Sequence, residues 1–225
     1  MQVKAIIFDL DGTLLHSIED IADACNHVLK QNNLPTHSTE SYVSWIGNGA
    51  TKLVERALPA PIKNHPEKLD YFVQEYKDYY LAHLMVKSHL YEGIAEVLTF
   101  LKQTKILFAV NTNKPHSQTM PIVENYMKDF LPDLVFGQQD NIPKKPDPFA
   151  ANLIAQKFNT KNKAVLFVGD SYVDIKTGKA AGMQTLGVTW GYGQLELMKE
   201  AGCSDFITTT NELLGFIKTN IEELT

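Results

Sequence analysis

The sequence predicts an α/β fold: a doubly wound parallel sheet with an α-helical cap inserted after its first strand. Three observations carry this. The chain opens on a short, β-branched apolar run from Val3 to Phe8, of the kind buried on both faces in a parallel sheet. Helical periodicity then holds from residue 16 to residue 85. From Glu92 onward, apolar runs and amphipathic stretches alternate, as strands joined by helical crossovers do. Residues 1–15 and 86–225 are therefore expected to form the sheet domain, and 16–85 the cap.

In order, the first strand takes Val3, Ala5, Ile6, Ile7 and Phe8. In the cap, Ile18, Ile21, Ala22, Cys25, Val28 and Leu29 recur at helical spacing behind Ser17, a candidate N-cap. Asn32-Asn33-Leu34-Pro35 ends that helix. Further helices are expected over 39–46, 50–58 and 66–84, broken by Gly47-Asn48-Gly49 and Pro59-Ala60-Pro61. Tyr71, Phe72, Tyr76, Tyr79 and Tyr80 make an aromatic stripe on the last of them, expected to be core. Beyond the cap, helix 92–103 precedes strand 106–110, and helix 117–127 precedes strand 134–136. Helix 148–158 then leads to strand 164–168, and helix 172–181 to strand 185–188. A strand near 205–207 and a helix over 212–219 finish the chain.

At 225 residues the chain can bury a large core, and 44% hydrophobic with 21% charged is an ordinary globular balance. A net charge of −5 argues against nucleic acid as the partner, since phosphate backbones are held by clustered Lys and Arg. No apolar stretch approaches the roughly 18 residues of a membrane span. Met1-Gln2-Val3-Lys4 leads into the first strand with no secretory-type segment. Cys25 and Cys203 form no C-x-x-C pair and read as buried free thiols. Together these predict a cytoplasmic protein; a monomer or a homodimer is expected.

The chemistry begins where the first strand ends, at Asp9-Leu10-Asp11-Gly12-Thr13. With extended backbone the two carboxylates fall on one side, where they repel unless a cation lies between them. Mg²⁺ suits such a place, because it favours oxygen ligands and shares its site with substrate phosphates. Asp9 then becomes a candidate nucleophile, since a carboxylate can take up a phosphoryl group. Alone, an acidic pair before glycine reads as a solvated turn. Three further pieces recur downstream in order: Asn111-Thr112-Asn113 after an apolar run, the dipeptide Lys145-Pro146, and Gly169-Asp170-Ser171-Tyr172-Val173-Asp174 after another apolar run. Asp170 taken alone would read as a helix cap.

This ordered set resembles the haloacid dehalogenase-like superfamily, in its phosphatase branch, over essentially the whole chain. The segments Trp45-Ile46-Gly47-Asn48-Gly49-Ala50, Thr112-Asn113-Lys114-Pro115 and Lys144-Lys145-Pro146 are most similar to bacterial phosphoglycolate phosphatases. The resemblance implies a Rossmann-like core and a Mg²⁺-dependent phosphomonoester hydrolase acting on a small phosphorylated metabolite, 2-phosphoglycolate, through an aspartyl-phosphate. A sugar-phosphate phosphatase or a β-phosphoglucomutase-type phosphomutase carries the same motifs, and a non-catalytic regulatory module on the same fold is the reading from another class.

By the same resemblance Asp9 is the nucleophile and Asp11 the acid and then base. The metal takes the Asp9 carboxylate, the Asp11 backbone carbonyl and the Asp170 carboxylate. Ser171 and Asp174 stand behind them, Asp174 holding a metal-bound water or the lysine. Thr112 offers its hydroxyl to the phosphate, and Asn113 and Lys114 their amides. Lys145 neutralises the phosphoryl oxygens; Lys144 competes, but the family places its lysine directly before proline. Gly12 and Thr13 supply a tight turn and phosphate contacts, and Gly47, Asn48 and Gly49 a substrate loop in the cap. Lys52, Arg56 or Lys114 would pair with the substrate carboxylate. His16 and Glu19 depart from the family's usual aspartate and proline at the first cap linker.

Overall fold

The structure is a computed structural model that describes residues 3–221. Two compact units emerge: one built from the chain up to His16 and from Leu90 onward, the other Ser17–His89. β1 (Ala5–Phe8) opens the first unit, buried at every position, and β2 (Leu15–His16) follows the acidic turn.

The second unit is helical: α1 (Ile18–Gln31), α2 (Thr39–Trp45), α3 (Ala50–Ala57), α4 (Ala60–Lys63) and α5 (Pro66–Ala82). α1 buries Ile18, Ile21, Ala22, Cys25, Val28 and Leu29, the stripe that its periodicity predicts. The single turn α4 stands where a break was expected, because Pro61 falls in its first turn, where a missing N–H leaves no bond unmade. Phe72, Tyr76 and Tyr80 are core, but Tyr71 is 51% exposed. Tyr79 instead stacks between the His27 and His83 rings, at 3.7 and 3.9 Å.

This unit extends past the expected limit of residue 85, to His89. The buried carboxylate of Asp20 is the reason. It accepts the amides of Val86, Lys87 and Ser88 at 2.8–3.1 Å and the Ser88 hydroxyl at 2.6 Å, tying 86–88 to α1.

The chain re-enters the first unit through β3 (His89–Leu90), which pairs with β2 in a small separate sheet. There follow α6 (Ile94–Gln103), β4 (Leu107–Pro115), α7 (His116–Tyr126), β5 (Leu134–Gln138) and α8 (Phe149–Lys157). β6 (Val165–Gly169), α9 (Tyr172–Ala180), β7 (Gln184–Val188), α10 (Leu195–Glu200), β8 (Phe206–Ile207) and α11 (Thr210–Asn220) complete it. The sheet has six strands in the order β5-β4-β1-β6-β7-β8, and every pairing is parallel. On one face Ala5, Ile7, Val165 and Phe167 pack against Ala151, Ile154 and Ala155 of α8. Burying each large apolar side chain contributes about 1.5–3 kcal/mol.

Two departures from expectation matter. β4 runs five residues past residue 110, because pairing with β5 resumes at Pro115↔Gln138 after an irregularity. α10 was not foreseen, since it buries only Met198 and so leaves no stripe to read. Among the described residues no helix is long and apolar enough to cross a membrane. Register then aims the chemistry: Phe8 lies level with both Val110 and Val168. Residues 9, 111 and 169 therefore lie side by side on three neighbouring strands, at the carboxyl ends of β1 and β6.

Candidate active site

In open α/β sheets ligands sit at the carboxyl ends of the strands, and there the motifs converge. Carboxylate oxygens of Asp9, Asp170 and Asp174 all lie within 4.8 Å of one another, and all three residues are buried. Lys145 reaches this cluster from the loop after β5, its Nζ 2.5 Å from Asp174 Oδ1 and 2.8 Å from Asp9 Oδ1. Asp9 Oδ1 is buried, and the Lys145 ammonium is its ion-pair partner.

The electrostatics follow from that crowding. Burial, with Asp174 and Asp170 nearby, pushes Asp9 up to about 8 despite the pull of Lys145. Burial and Asp174 push Asp170 up to about 7, against the Tyr192 amide and the Thr13 hydroxyl. For Lys145, burial opposes the charge, yet Asp174 and Asp9 outweigh it and raise the ammonium above the usual lysine range.

α9 explains why Asp174 faces inward. Ser171, not Asp170, is its N-cap, and Asp174 Oδ2 reaches back to the Ser171 amide at 3.1 Å and hydroxyl at 2.6 Å. With Oδ1 on Lys145, both Asp174 oxygens are committed to protein donors. Asp170 is thereby freed from the capping role that its sequence context suggests.

Other predicted residues are present with particular duties. The Asp11 carboxylate is held by Lys114, whose Nζ lies 3.1 Å from both oxygens; the lysine side chain is 4% exposed. Thr112 is buried within β4, and its hydroxyl oxygen accepts the Lys114 amide at 3.2 Å. The Thr13 hydroxyl donates to Asp170 Oδ1 at 3.2 Å. Gly12 turns at φ +89°, and a Cβ there would lie 2.3 Å from Asp170 Oδ2, so only glycine fits. Lys144 is exposed, whereas Lys145 is buried.

In the helical unit, Gly47 and Gly49 have φ of +99° and +85°. Arg56 donates to the Trp45 carbonyl at 2.5 Å and to Asn48 Oδ1 at 2.8 Å, bracing that loop from within. Lys52 pairs with Glu55 at 2.6 Å.

One element escaped sequence reasoning: Trp190-Gly191-Tyr192-Gly193, after β7. The amides of Tyr192 and Gly193 donate to Asp170 Oδ2 at 2.7 and 3.2 Å, and Trp190 Nε1 to the Thr13 carbonyl at 3.1 Å. The available signal was two glycines within three residues directly after an apolar strand, which marks close backbone approach.

Comparison with known proteins agrees with this geometry. A sequence profile of haloacid dehalogenase-like hydrolases matches residues 6–188. The phosphoglycolate phosphatase of Haemophilus influenzae is 38% identical over 196 residues, covering 85% of this chain and 88% of that protein. The phosphoglycolate phosphatase of Colwellia psychrerythraea is 34% identical over 219 residues, covering 96% and 97%. The crystal structure of a predicted phosphoglycolate phosphatase from Haemophilus somnus superposes with a TM-score of 0.88 at 34% identity, covering 96% of this chain and 98% of that one. The chain belongs to the haloacid dehalogenase-like hydrolases.

Proposed function

We propose that the protein is a phosphomonoester hydrolase that forms an aspartyl-phosphate on Asp9, with 2-phosphoglycolate as its substrate. The observation that carries this reading is the buried cluster of Asp9, Asp170 and Asp174 at the ends of the neighbouring strands β1 and β6, with the Lys145 ammonium 2.8 Å from Asp9. The relatives named phosphoglycolate phosphatase support the choice of substrate.

Asp9, as carboxylate, attacks phosphorus, the bond to the leaving oxygen breaks, and Asp11 gives that oxygen its proton. Asp11, now deprotonated, takes a proton from water as the water attacks the phosphoryl group, returning Asp9 and releasing phosphate. Lys145 and Thr112 hold the phosphoryl oxygens while charge redistributes over them. Lys114 keeps the Asp11 carboxylate in place.

The residues present fit Mg²⁺. The donors are all oxygen, and the buried Asp9, Asp170 and Asp174 crowd within 4.8 Å of one another around the Lys145 ammonium, an excess of negative charge that a divalent ion would offset. The Asp9 carboxylate, the Asp11 carbonyl and the Asp170 carboxylate would hold it. When bound, Mg²⁺ supplies charge stabilisation to the phosphoryl oxygens.

For the substrate carboxylate we assign Lys114. Its ammonium lies 3.1 Å from Asp11, the residue that meets the leaving oxygen in this reading, whereas Lys52 and Arg56 belong to the helical unit. Residues 17–89 serve as the cap, with Gly47, Asn48 and Gly49 as its substrate loop; the positive φ of Gly47 and Gly49 and the Arg56 brace support a shaped backbone there.

The test is phosphate release from a panel of monoesters with Mg²⁺. We expect kcat/KM for 2-phosphoglycolate at least tenfold above glucose phosphates, about 1.4 kcal/mol in transition-state binding. Lys114→Met should cut that value far more than the value for p-nitrophenyl phosphate. A sugar phosphate that outruns 2-phosphoglycolate would remove the substrate assignment and leave the phosphatase.

A further inference from the structure

Lys145 is the cation nearest Asp9, yet it stands on a loop rather than a strand. Around it, the backbone of 139–147 makes turn contacts, the Ile142 amide to the Gln139 carbonyl at 3.2 Å and the Asp147 amide to the Lys144 carbonyl at 3.0 Å. A lysine ammonium on a loop swings with its backbone, through four further rotatable bonds. Something must fix the Lys145 main chain if its ammonium is to stay between Asp9 and Asp174.

The structure assigns that task to Asn113. Its Oδ1 accepts the Lys145 amide at 2.9 Å and its Nδ2 donates to the Lys145 carbonyl at 3.1 Å, a reciprocal pair across 32 positions of sequence. Asn113 and Lys145 are each 6% exposed, so water does not compete for these bonds. Asn113 follows Thr112 directly on β4. The clamp therefore joins the hydroxyl and the ammonium proposed to hold the phosphoryl group into one body. We propose that Asn113 is a positioning residue: its side chain acts on the reaction only through Lys145. This rests on the hydrolase reading above, in which Lys145 faces the phosphoryl oxygens.

The chemistry of the carboxamide is specific to the task. Aspartate at 113 keeps an acceptor for the Lys145 amide but sets a carboxylate oxygen against the Lys145 carbonyl. Alanine removes both bonds. A catalytic group misplaced by about 1 Å can cost on the order of a hundredfold in rate.

A double-mutant cycle with p-nitrophenyl phosphate and Mg²⁺ tests this, with thermal unfolding as the control for folding. Asn113→Ala and the isosteric Asn113→Asp should each lower kcat by about 10- to 100-fold with little change in KM. In a Lys145→Ala background, either change should have almost no further effect on kcat. Reductive methylation of Lys145, followed by peptide mass spectrometry, gives a readout independent of turnover: it should be faster in both Asn113 variants than in the wild type. Full multiplication of the two kinetic effects, wild-type kcat in Asn113→Ala, or an unchanged methylation rate would overturn the assignment. A wild-type protein that hydrolyses no monoester would instead overturn the hydrolase reading, and the methylation rates would still decide the clamp.

Discussion

Replacing Gly191 by alanine adds one methyl group and should loosen the whole acidic cluster. A Cβ at 191 would lie 2.2 Å from the Gly12 carbonyl oxygen, 2.4 Å from Asp170 Cβ and 2.5 Å from Asp170 Oδ2. These neighbours are backbone and a short buried side chain, so neither can swing aside. The 190–193 loop must lift, and with it the Tyr192 and Gly193 amides that hold Asp170 Oδ2 at 2.7 and 3.2 Å. A hydrogen bond to a charged group contributes about 1.5–3 kcal/mol, so losing one or both costs about 2–5 kcal/mol. At roughly 2–4 °C per kcal/mol for a chain of this size, Tm should fall by about 5–15 °C. Freed from its donors, Asp170 should also hold Mg²⁺ about 10- to 100-fold more weakly, as when a partner behind a metal ligand is lost. The assay is thermal unfolding across a Mg²⁺ titration. Gly215→Ala is the control: nothing lies within 4 Å of its Cβ, it sits inside α11, and alanine there should be neutral or stabilising by up to about 1 kcal/mol. A Gly191→Ala protein with wild-type Tm and wild-type Mg²⁺ midpoint would refute the loop as the clamp on Asp170.

Two more outcomes follow from buried carboxylates. The folded-state values of Asp9 and Asp170, about 8 and about 7, exceed the ordinary 3.8, so the folded protein keeps protons that the unfolded chain has released. Stability of the metal-free protein from these groups should fall as pH rises from about 4 to about 8. Mg²⁺ should stabilise more at pH 8 than at pH 5, and Asp9→Asn should flatten the slope; a metal-free Tm that climbs over this window through Asp9 would contradict the assignment. In the helical unit, Asp20→Ala strips the amides of Val86, Lys87 and Ser88 of their acceptor. It should cost about 2–4 kcal/mol in urea unfolding and open 86–89 to limited proteolysis; a loss under about 0.5 kcal/mol, the size of an ordinary surface change, would sink it.

Sheet and helices were legible because hydrophobic period reports burial directly. The run Val3 to Phe8 and the stripe Ile18 to Leu29 are each buried as their spacing predicts. Strand-end chemistry was legible for a related reason: parallel register sets Asp9 level with Asn111 and Gly169, with Thr112 and Asp170 the next residues along, once their strands are neighbours. What the sequence hid depends on partners far along the chain. Nothing near Asn113 announces that its side chain closes on Lys145, nor near Thr13 that its hydroxyl turns to Asp170. Asp20 reads as one more acid on α1, although its acceptor role moves the edge of the helical unit to His89. Tyr71 and Tyr79 share the period of the buried stripe on α5 but fall at its margin, where a ring meets water or histidine instead.

Whether Asp9 carries the phosphoryl group is read most directly by borohydride trapping during turnover. With 2-phosphoglycolate and Mg²⁺, an acid quench followed by borohydride should reduce the acyl phosphate to homoserine at position 9 alone, identified by peptide mass spectrometry and absent from Asp9→Asn. Homoserine at another aspartate, or none at any position while phosphate is released at the full rate, would contradict the aspartyl-phosphate route.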